Sequence, residues 1–243
     1  MVIILGRNTV LESLRSGQPI TDLYLKEGIG IDSKVSEILS KAKEGKVRYR
    51  FVSKRFLDNM SQGAIHQGII AVKTEAERIS LQKFLESFNK SNKSKDLFIV
   101  YIREAQNEFN VGGIIRSAEA AGADVVILPP KTHLTPQMIR ASMGASEHMT
   151  ILNENIFNAI RLAQKELVKV VAIELTGNQY YFQADLKGPA MLIVGGEDKS
   201  LSKEITSKCD CIVKIPQLGH VNSLNMGVAF AIVAFEKLKQ DKF

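Results

Sequence analysis

Residues 190–225 read AMLIVGGEDKSLSKEITSKCDCIVKIPQLGHVNSLN, and they contain two apolar runs that are each followed by a polar, glycine-containing loop. The first run ends at Gly195-Gly196-Glu197, and the second leads into a loop at 215–225. A third loop of the same character lies earlier, at 110–116. Because glycine lets backbone approach a ligand closely, the three loops together predict one composite pocket.

From residue 97 onward, apolar strands alternate with helices, and near-continuous apolar strands are typical of a parallel sheet covered on both faces. Ligands bind such sheets beyond the carboxyl ends of the strands, where we expect the loops at Gly195 and Gly219. The final helix is predicted to be amphipathic. The pattern predicts strands at 97–102, 125–128, 170–175 and 190–194, a strand in the run after Cys211, and helices at 112–121, after Thr135, after Asn155 and at 223–239.

The sequence pattern of the N-terminal part predicts a smaller α/β unit. Residues 75–96 differ in character, with one amphipathic helix at 80–88 and an entirely polar run at 89–95. Such a run indicates a solvated linker or tip. The predicted domains are 1–74 and 96–243, joined by a linker at 75–95. Within the first domain we expect helices through Leu14, capped by Asn8, and at 35–42, and strands at 23–25, 47–52 and 68–72.

The composition favours a globular protein with an anionic partner. The 243 residues are 45% hydrophobic with a formal net charge of +6, and the pI is about 9.2, so nucleic acid is the first candidate. The longest apolar stretch, at 227–235, is too short to span a bilayer, and the first residues lack a signal-type core. We therefore expect a cytoplasmic protein with no membrane partner.

Several common kinds of site are disfavoured. Neither Gly-x-Gly-x-x-Gly nor Gly-x-x-x-x-Gly-Lys-Ser/Thr occurs, which argues against dinucleotide and nucleoside-triphosphate chemistry. The four histidines lack metal-ligand spacing, and Cys209 and Cys211 are expected to be small core residues, so no metal is predicted. The pair His220 and Ser223 lacks the partners that nucleophilic catalysis needs.

Taken singly, the polar residues of the three loops have ordinary explanations. Asn110 and Ser223 fit helix caps, and Arg116 fits an exposed arginine or one paired with Glu119. Glu197 fits a solvated loop residue. Taken together, they form a more specific pattern.

That pattern resembles the SpoU (TrmH-like) family of RNA 2′-O-ribose methyltransferases in the SPOUT superfamily, over nearly the whole chain. Residues 110–128, 192–197 and 215–229 are similar to its three motifs, the third most closely. Gly6-Arg7-Asn8 and His66-Gln67-Gly68 resemble the N-terminal RNA-binding domain of the branch that acts on large-subunit ribosomal RNA. Two departures occur: Asp198-Lys199-Ser200 replaces the usual glycines after the second motif, and Asn107-Glu108 replaces Asp-Pro before Asn110.

The resemblance implies a trefoil-knotted methyltransferase domain preceded by a small α/β RNA-binding domain, a homodimer, and S-adenosylmethionine as the methyl donor. It implies methylation of a ribose 2′-hydroxyl, foremost of a guanosine in 23S ribosomal RNA. The implied catalytic residues are Asn110, Arg116, Glu197, Ser223 and Asn225. The implied cofactor contacts are Thr176, Gly177, Gly195, Gly196, Ile215, Gln217, Gly219, Ser223 and Leu224. The implied RNA contacts are Arg7, His66 and Arg116.

Three functions stay open at this point. The first is the ribosomal RNA enzyme, and the second is the same chemistry on a transfer RNA or another ribosomal RNA site. The N-terminal domain argues against transfer RNA enzymes, which commonly lack it. The third is a non-catalytic RNA-binding or ribosome-assembly protein on the same fold. The five polar residues argue against that third function, whereas the altered second motif argues for it.

Overall fold

The computed structural model describes residues 1–74, 79–90, 96–196, 200–220 and 223–243. The chain forms two compact units, and each is built from two stretches of sequence. The first unit comprises Met1–Glu77 and Leu134–His148, and the second comprises Arg78–His133 and Met149–Phe243. Within the described ranges, no helix is both long enough and apolar enough to cross a bilayer.

The first unit is a four-stranded sheet with helices on both faces. Its strands are β1 (Val2–Leu5), β2 (Ile20–Lys26), β3 (Arg48–Val52) and β4 (Ile69–Lys73), and its helices include α1 (Arg7–Arg15), α2 (Ser33–Glu44) and α3 (Lys54–Met60). The spatial order is β1-β4-β2-β3, with β4 antiparallel to both neighbours and β2 parallel to β3. One core cluster joins the sheet to α1 and α2, and a smaller one joins its other face to α3.

The second unit is a seven-stranded sheet in which every pairing is parallel, as predicted. Its strands are β5 (Phe98–Ile102), β6 (Val125–Leu128), β7 (Thr150–Asn153), β8 (Lys169–Ile173), β9 (Gln179–Tyr180), β10 (Ala190–Val194) and β11 (Cys211–Lys214). Its helices are α4 (Leu81–Lys90), α5 (Glu108–Ala120), α7 (Ile156–Lys165), α8 (Lys203–Thr206) and α9 (Met226–Lys242). The order is β7-β6-β5-β10-β8-β11-β9, which puts β10 and β8 near the centre.

Leu134–His148, between β6 and β7 in sequence, completes the first unit. It contains α6 (Pro136–Ala141), which Thr135 caps with a proline in the first turn, as predicted. The Ile139 side chain lies in the core cluster of α1 and α2. The Lys73 ammonium lies 2.6 Å from the buried Glu147 carboxylate. A stretch inside the predicted 96–243 domain therefore supplies core and ion-pair contacts to the sheet of the first unit.

The start of α1 differs from the prediction. The helix begins after Gly6, whose φ of +93° favours glycine, and no side chain caps it. Asn8 lies inside the first turn, where its amide oxygen accepts a hydrogen bond from Lys34. The expectation that Asn8 caps this helix is therefore wrong.

The last helix also differs, because α9 is apolar on more than one side. Phe230 and Val233 are buried against the sheet, yet Val228 and Phe235 are exposed. The prediction of an amphipathic helix is therefore wrong. A helix that is apolar all round is normally covered on both sides, so the exposed side of α9 is a candidate contact surface.

Candidate active site

A cavity of about 410 Å³ lies at the carboxyl ends of three adjacent strands of the second unit. The strands β8, β10 and β11 end at Ile173, Val194 and Lys214, and the loops that follow them supply much of the lining. The remaining lining comes from the segment that enters α9. A cavity thus lies where the sequence predicts the site, beyond the carboxyl ends of parallel strands, and its use as the binding site stays a prediction.

Most of the predicted cofactor contacts meet at this cavity. Gly195, Gly196, Ile215, Gln217, Ser223 and Leu224 line it, whereas Thr176, Gly177 and Gly219 are not among its lining residues. Gly177 has a different task. A Cβ atom there would lie 2.6 Å from the carbonyl carbon of Val213, so only glycine lets this turn pass so close to β11.

A buried carboxylate that the sequence analysis missed also lines the cavity. Glu174 follows β8 directly, and its Oε1 accepts a hydrogen bond from the backbone N–H of Leu201 at 2.5 Å. A Cβ atom on Gly195 would lie 3.0 Å from the same Oε1. Glycine at that position therefore leaves room for the Glu174 carboxylate. The predicted strand at 170–175 enclosed Glu174, whereas β8 ends at Ile173, so the available sequence signal was a single acidic residue at the end of an apolar run.

Two predicted catalytic residues, Asn110 and Asn225, are joined by a hydrogen bond. Nδ2 of Asn225 donates to Oδ1 of Asn110 at 2.9 Å, although 115 residues separate them. Asn110 is buried in the first turn of α5, and α5 packs against α9. The hydrogen bond therefore ties the first motif, at 110–128, to the third motif, at 215–229, where the chain enters the last helix.

The helix caps at this link are not the predicted ones. Asn107 caps α5, because its Oδ1 accepts from the backbone N–H groups of Phe109 and Asn110. Asn225, rather than Ser223, caps α9 through the N–H groups of Gly227 and Val228. The expectation that Asn110 and Ser223 cap these helices is therefore wrong.

Arg116 lies on α5 with an exposed side chain, and it does not line the cavity. In the described part of the chain its guanidinium makes no ion pair with Glu119, the partner considered from sequence. An exposed guanidinium can meet a phosphate or a developing negative charge. Glu197, the remaining predicted catalytic residue, lies outside the described residues.

The two predicted RNA contacts of the first unit already have protein partners. The Arg7 guanidinium pairs with the Asp32 carboxylate at 2.5 Å. His66 is buried, with Nε2 3.1 Å from Asp58, and Nδ1 accepts from the N–H of Gly68 at 3.0 Å. The contacts of His66 hold the turn that leads into β4. The role of Arg7 and His66 in RNA binding stays a prediction.

The two cysteines are predicted to be unreactive in the folded protein. Burial raises the pKa of the Cys209 thiol to about 12, and it also raises the pKa of Cys211. Because the thiolate is the nucleophile, we expect iodoacetamide at pH 8 to label the folded protein far more slowly than the denatured protein. Mass spectrometry of timed samples checks this, and labelling at equal rates would contradict it. No group of three or more metal-ligand side chains occurs among the described residues.

Comparison with known proteins identifies the family of the chain. Residues 97–235 match the SpoU rRNA Methylase family, and residues 3–78 match the RNA 2′-O ribose methyltransferase substrate binding domain. A TrmH family tRNA/rRNA methyltransferase of Staphylococcus haemolyticus is 32% identical over 238 residues, which are 97% of this chain and 94% of that protein.

Two solved structures differ in how much of this chain they resemble. The AdoMet-bound rRNA methyltransferase from Sinorhizobium meliloti superposes with a TM-score of 0.79 and 25% identity, over 98% of this chain and 87% of that one. A TrmH/SpoU tRNA modifying enzyme from A. aeolicus gives a TM-score of 0.54 and 24% identity, over 66% of this chain and 83% of that one.

Fold, cavity and comparisons define the class as an S-adenosylmethionine-dependent RNA 2′-O-ribose methyltransferase. Within that class, the chain belongs to the SpoU rRNA methylase family. The predicted family, α/β fold, enzyme class and cofactor are thereby confirmed.

Proposed function

We propose that this enzyme methylates the 2′-hydroxyl of a guanosine in large-subunit (23S) ribosomal RNA, as enzymes of the RlmB type do in the P loop. The observation that carries the choice of RNA is coverage. The ribosomal RNA methyltransferase of Sinorhizobium meliloti matches 98% of this chain, whereas the transfer RNA modifying enzyme matches 66%. A substrate-binding unit ahead of the catalytic one therefore supports a ribosomal RNA substrate.

The cavity fits S-adenosylmethionine in size and in chemistry. Its volume of about 410 Å³ suits a ligand of this class. Apolar side chains suit the adenine and the thioether carbons, and polar groups can meet the ribose hydroxyls and the amino and carboxylate groups. The apolar set is Ile173, Val194, Ile215, Leu224 and Met226, and the polar set is Glu174, Ser200, Gln217, Ser223 and Asn225.

The buried Glu174 carboxylate suits a ligand that carries positive charge. When bound, S-adenosylmethionine supplies an electrophilic methyl group on a cationic sulfur. Glu174 also fixes Leu201, and so holds the end of the loop that begins at Gly195. Ile215 and Leu224 contribute apolar lining, and a bound ligand that displaces water against them would strengthen electrostatic interactions in the cavity.

Arg116 is assigned to act on the RNA substrate rather than on the methyl donor. A guanidinium keeps its proton under ordinary conditions, so it does not serve as the base. It can position a phosphate and stabilise negative charge on the ribose oxygen as the hydroxyl loses its proton. The hydrogen bond between Asn110 and Asn225 fixes the start of α5, the helix that carries Arg116.

A homodimer is part of the proposal. The exposed apolar side chains of α9, Val228 and Phe235, lie on the helix that packs against α5. Covering them by a second copy would remove apolar surface from water, and a soluble monomer seldom leaves such surface open. Arg116 does not line the cavity of a single chain, which supports an active site completed beside a dimer interface. The trefoil knot that the family resemblance implies is likewise proposed for the C-terminal segment of the methyltransferase domain.

The dimer gives a prediction for Phe235→Asp. We expect wild-type protein to elute with twice the chain mass of 26.9 kDa, and the variant to elute as a monomer because a carboxylate replaces an apolar contact. Size-exclusion chromatography with light scattering measures both. Leu167→Asp is the control, since Leu167 is exposed in a turn after α7. A monomeric wild type, or an unchanged variant mass, would contradict the assigned interface.

The function is tested by incubating the enzyme with unmodified large-subunit ribosomal RNA and S-adenosylmethionine that carries a labelled methyl group. Digestion and mass spectrometry then identify the labelled nucleoside. We expect 2′-O-methylguanosine, and fragment mapping locates it. Label only in transfer RNA, offered in a parallel reaction, would assign the other substrate. No label in either RNA would refute the proposal.

A further inference from the structure

One corner of the first unit combines exposed aromatic rings with arginines. In the four-stranded sheet, β3 lies at the edge beside β2. Its first four residues, Arg48, Tyr49, Arg50 and Phe51, are all exposed. Neighbours in a strand point to opposite faces, so the two arginines lie on one face and the two aromatic rings on the other.

On the arginine face of β3, one arginine side chain and two aromatic rings lie in contact. Arg50 pairs in register with Tyr24 of β2, and its guanidinium carbon lies 5.3 Å from the centroid of the Tyr24 ring. Its Nη2 also donates to the Tyr24 hydroxyl at 3.2 Å. Phe56, in the first turn of α3, has its ring centroid 5.4 Å from that of Tyr24 and is 44% exposed. We name this surface the Arg50 platform; its residues are Tyr24, Arg48, Arg50, Lys54 and Phe56.

Positive charge on the Arg50 platform exceeds what its carboxylates compensate. Arg48 and Arg50 share one oxygen of Asp22, at 3.6 and 3.7 Å. Both arginine side chains are mostly exposed, and loose ion pairs in water are weak. A phosphate of a bound ligand can therefore replace Asp22 as the ion-pair partner of either guanidinium. Lys54 pairs with Asp58 at 2.7 Å and adds a further exposed ammonium on α3, the helix that carries Phe56.

Protection of a sheet edge is the competing explanation for these charges. Charged residues on an edge strand discourage pairing with another chain, and this would account for Arg48 and Arg50. It does not account for the exposed Phe56 ring, which lies against Tyr24, the tyrosine that Arg50 also contacts. Flat rings beside cations are what proteins use to bind single-stranded nucleic acid, with bases on the rings and phosphates on the cations.

We propose that the Arg50 platform binds an unpaired stretch of the RNA substrate, with a base stacked on Phe56 and phosphates near Arg48 and Arg50. This inference rests on the proposed function, because it takes RNA to be the substrate. It places the contact on β3 and α3 rather than on Arg7 and His66, whose polar groups are held by Asp32 and Asp58; the second oxygen of Asp58 pairs with Lys54 of the platform. The strand edge thus becomes a recognition surface for unstacked bases.

Binding of full-length protein to fluorescein-labelled oligouridylate, followed by fluorescence anisotropy, tests the stacking contact. Phe56→Ala is expected to weaken binding roughly tenfold, the usual effect of losing one stacked base. Phe56→Leu, which keeps apolar packing on Tyr24, should weaken it similarly. Phe51→Ala is the matched control: Phe51 is 46% exposed on the same edge but on the other face, so its loss should leave affinity unchanged.

The contact between Arg50 and a phosphate is tested separately by the salt dependence of the binding constant. Arg50→Gln should lower the slope of log K against log salt by about 0.7, the value for one phosphate contact on a single strand. Lys43→Gln, an exposed lysine of α2, is the control and should leave the slope unchanged. A labelled RNA duplex of equal length should bind more weakly than oligouridylate, and the Phe56 variants should not alter its affinity.

Several results would overturn the platform. These are wild-type protein that does not bind oligouridylate, Phe56 variants that bind like wild type, or equal losses in Phe51→Ala and Phe56→Ala. The methyl-transfer assay separates this failure from failure of the proposed function. An active wild type whose KM for RNA is unchanged by Phe56→Leu refutes the platform alone, whereas a wild type that methylates no RNA refutes the function.

Discussion

Arg116→Ala is expected to lower methyl transfer at least about 100-fold while S-adenosylmethionine binding stays close to that of the wild type. Losing one preorganised charge-stabilising group typically costs two to three orders of magnitude in rate. The cofactor should be spared, because Arg116 does not line the cavity. The fold should be spared as well, because the Arg116 side chain is exposed on α5. Labelled methyl incorporation measures the first effect and calorimetric titration measures the second.

Two further variants make the Arg116 experiment specific. Arg116→Lys keeps the positive charge but loses the planar fork that binds phosphate in bidentate fashion, so we expect intermediate activity. Arg161→Ala removes an exposed arginine of α7 in the same unit, and we expect wild-type activity. Full activity of Arg116→Ala would refute the assigned role. Equal losses in Arg116→Ala and Arg161→Ala would point to general electrostatic attraction of RNA instead.

The sheet of the second unit was predictable because its strands are almost uninterrupted apolar runs. Ala190–Val194 and Val125–Leu128 are found with the predicted bounds. Shorter strands such as Thr150–Asn153 were missed, because four residues with two polar ends give no clear period. Helix starts were the weakest predictions, since several capping residues stand close together and only the folded backbone selects one.

The site was predictable in its loops and less so in its side chains. Glycines marked the two loops after β10 and β11, and six of the predicted cofactor contacts line the cavity. The third predicted loop, at 110–116, lies within α5 and is not part of the lining. Glu174 could not be recognised as a site residue, because an acidic residue near a strand end is common and its partner Leu201 lies 27 residues away. The exposed apolar side of α9 was also missed, because a helix that is apolar all round looks amphipathic when only its buried stripe is counted.

The position of Leu134–His148 could not be predicted from local sequence. Its helix, its cap and its proline were all predictable, but the surface against which the helix packs depends on contacts with residues far away in sequence. Ile139 packs in a core formed mainly by the first 71 residues. This finding also changes the design of experiments, since deleting residues 1–74 would strip that core from Ile139 and leave Glu147 without Lys73. Point variants on the first unit are therefore the cleaner test of RNA binding.

Lys237→Ala is expected to destabilise the second unit by about 3–5 kcal/mol, the usual result of removing one partner of a buried charge pair. Lys237 lies in α9 and is only 1% exposed. Its ammonium donates to the carbonyl oxygens of Leu186 at 3.3 Å and Gly188 at 2.7 Å, and it pairs with Asp241 at 2.6 Å. These contacts tie the segment before β10 to the last helix. Thermal unfolding followed by calorimetry should show the second unit melting several degrees lower.

Two comparisons separate the buried charge from simple loss of volume. Lys239→Ala removes an exposed lysine two positions away, whose ion pair with Glu236 should contribute less than about 1 kcal/mol. Lys237→Met with Asp241→Asn removes both charges, and the asparagine Oδ1 can still accept from the N–H of Gly188 as the aspartate does. This double variant should regain part of the lost stability, since no charge is then left unpaired in the interior. If it melts as low as Lys237→Ala, the two carbonyl hydrogen bonds hold the segment and the ion pair adds little. If Lys237→Ala melts like the wild type, the lysine does not hold α9 to the sheet at all.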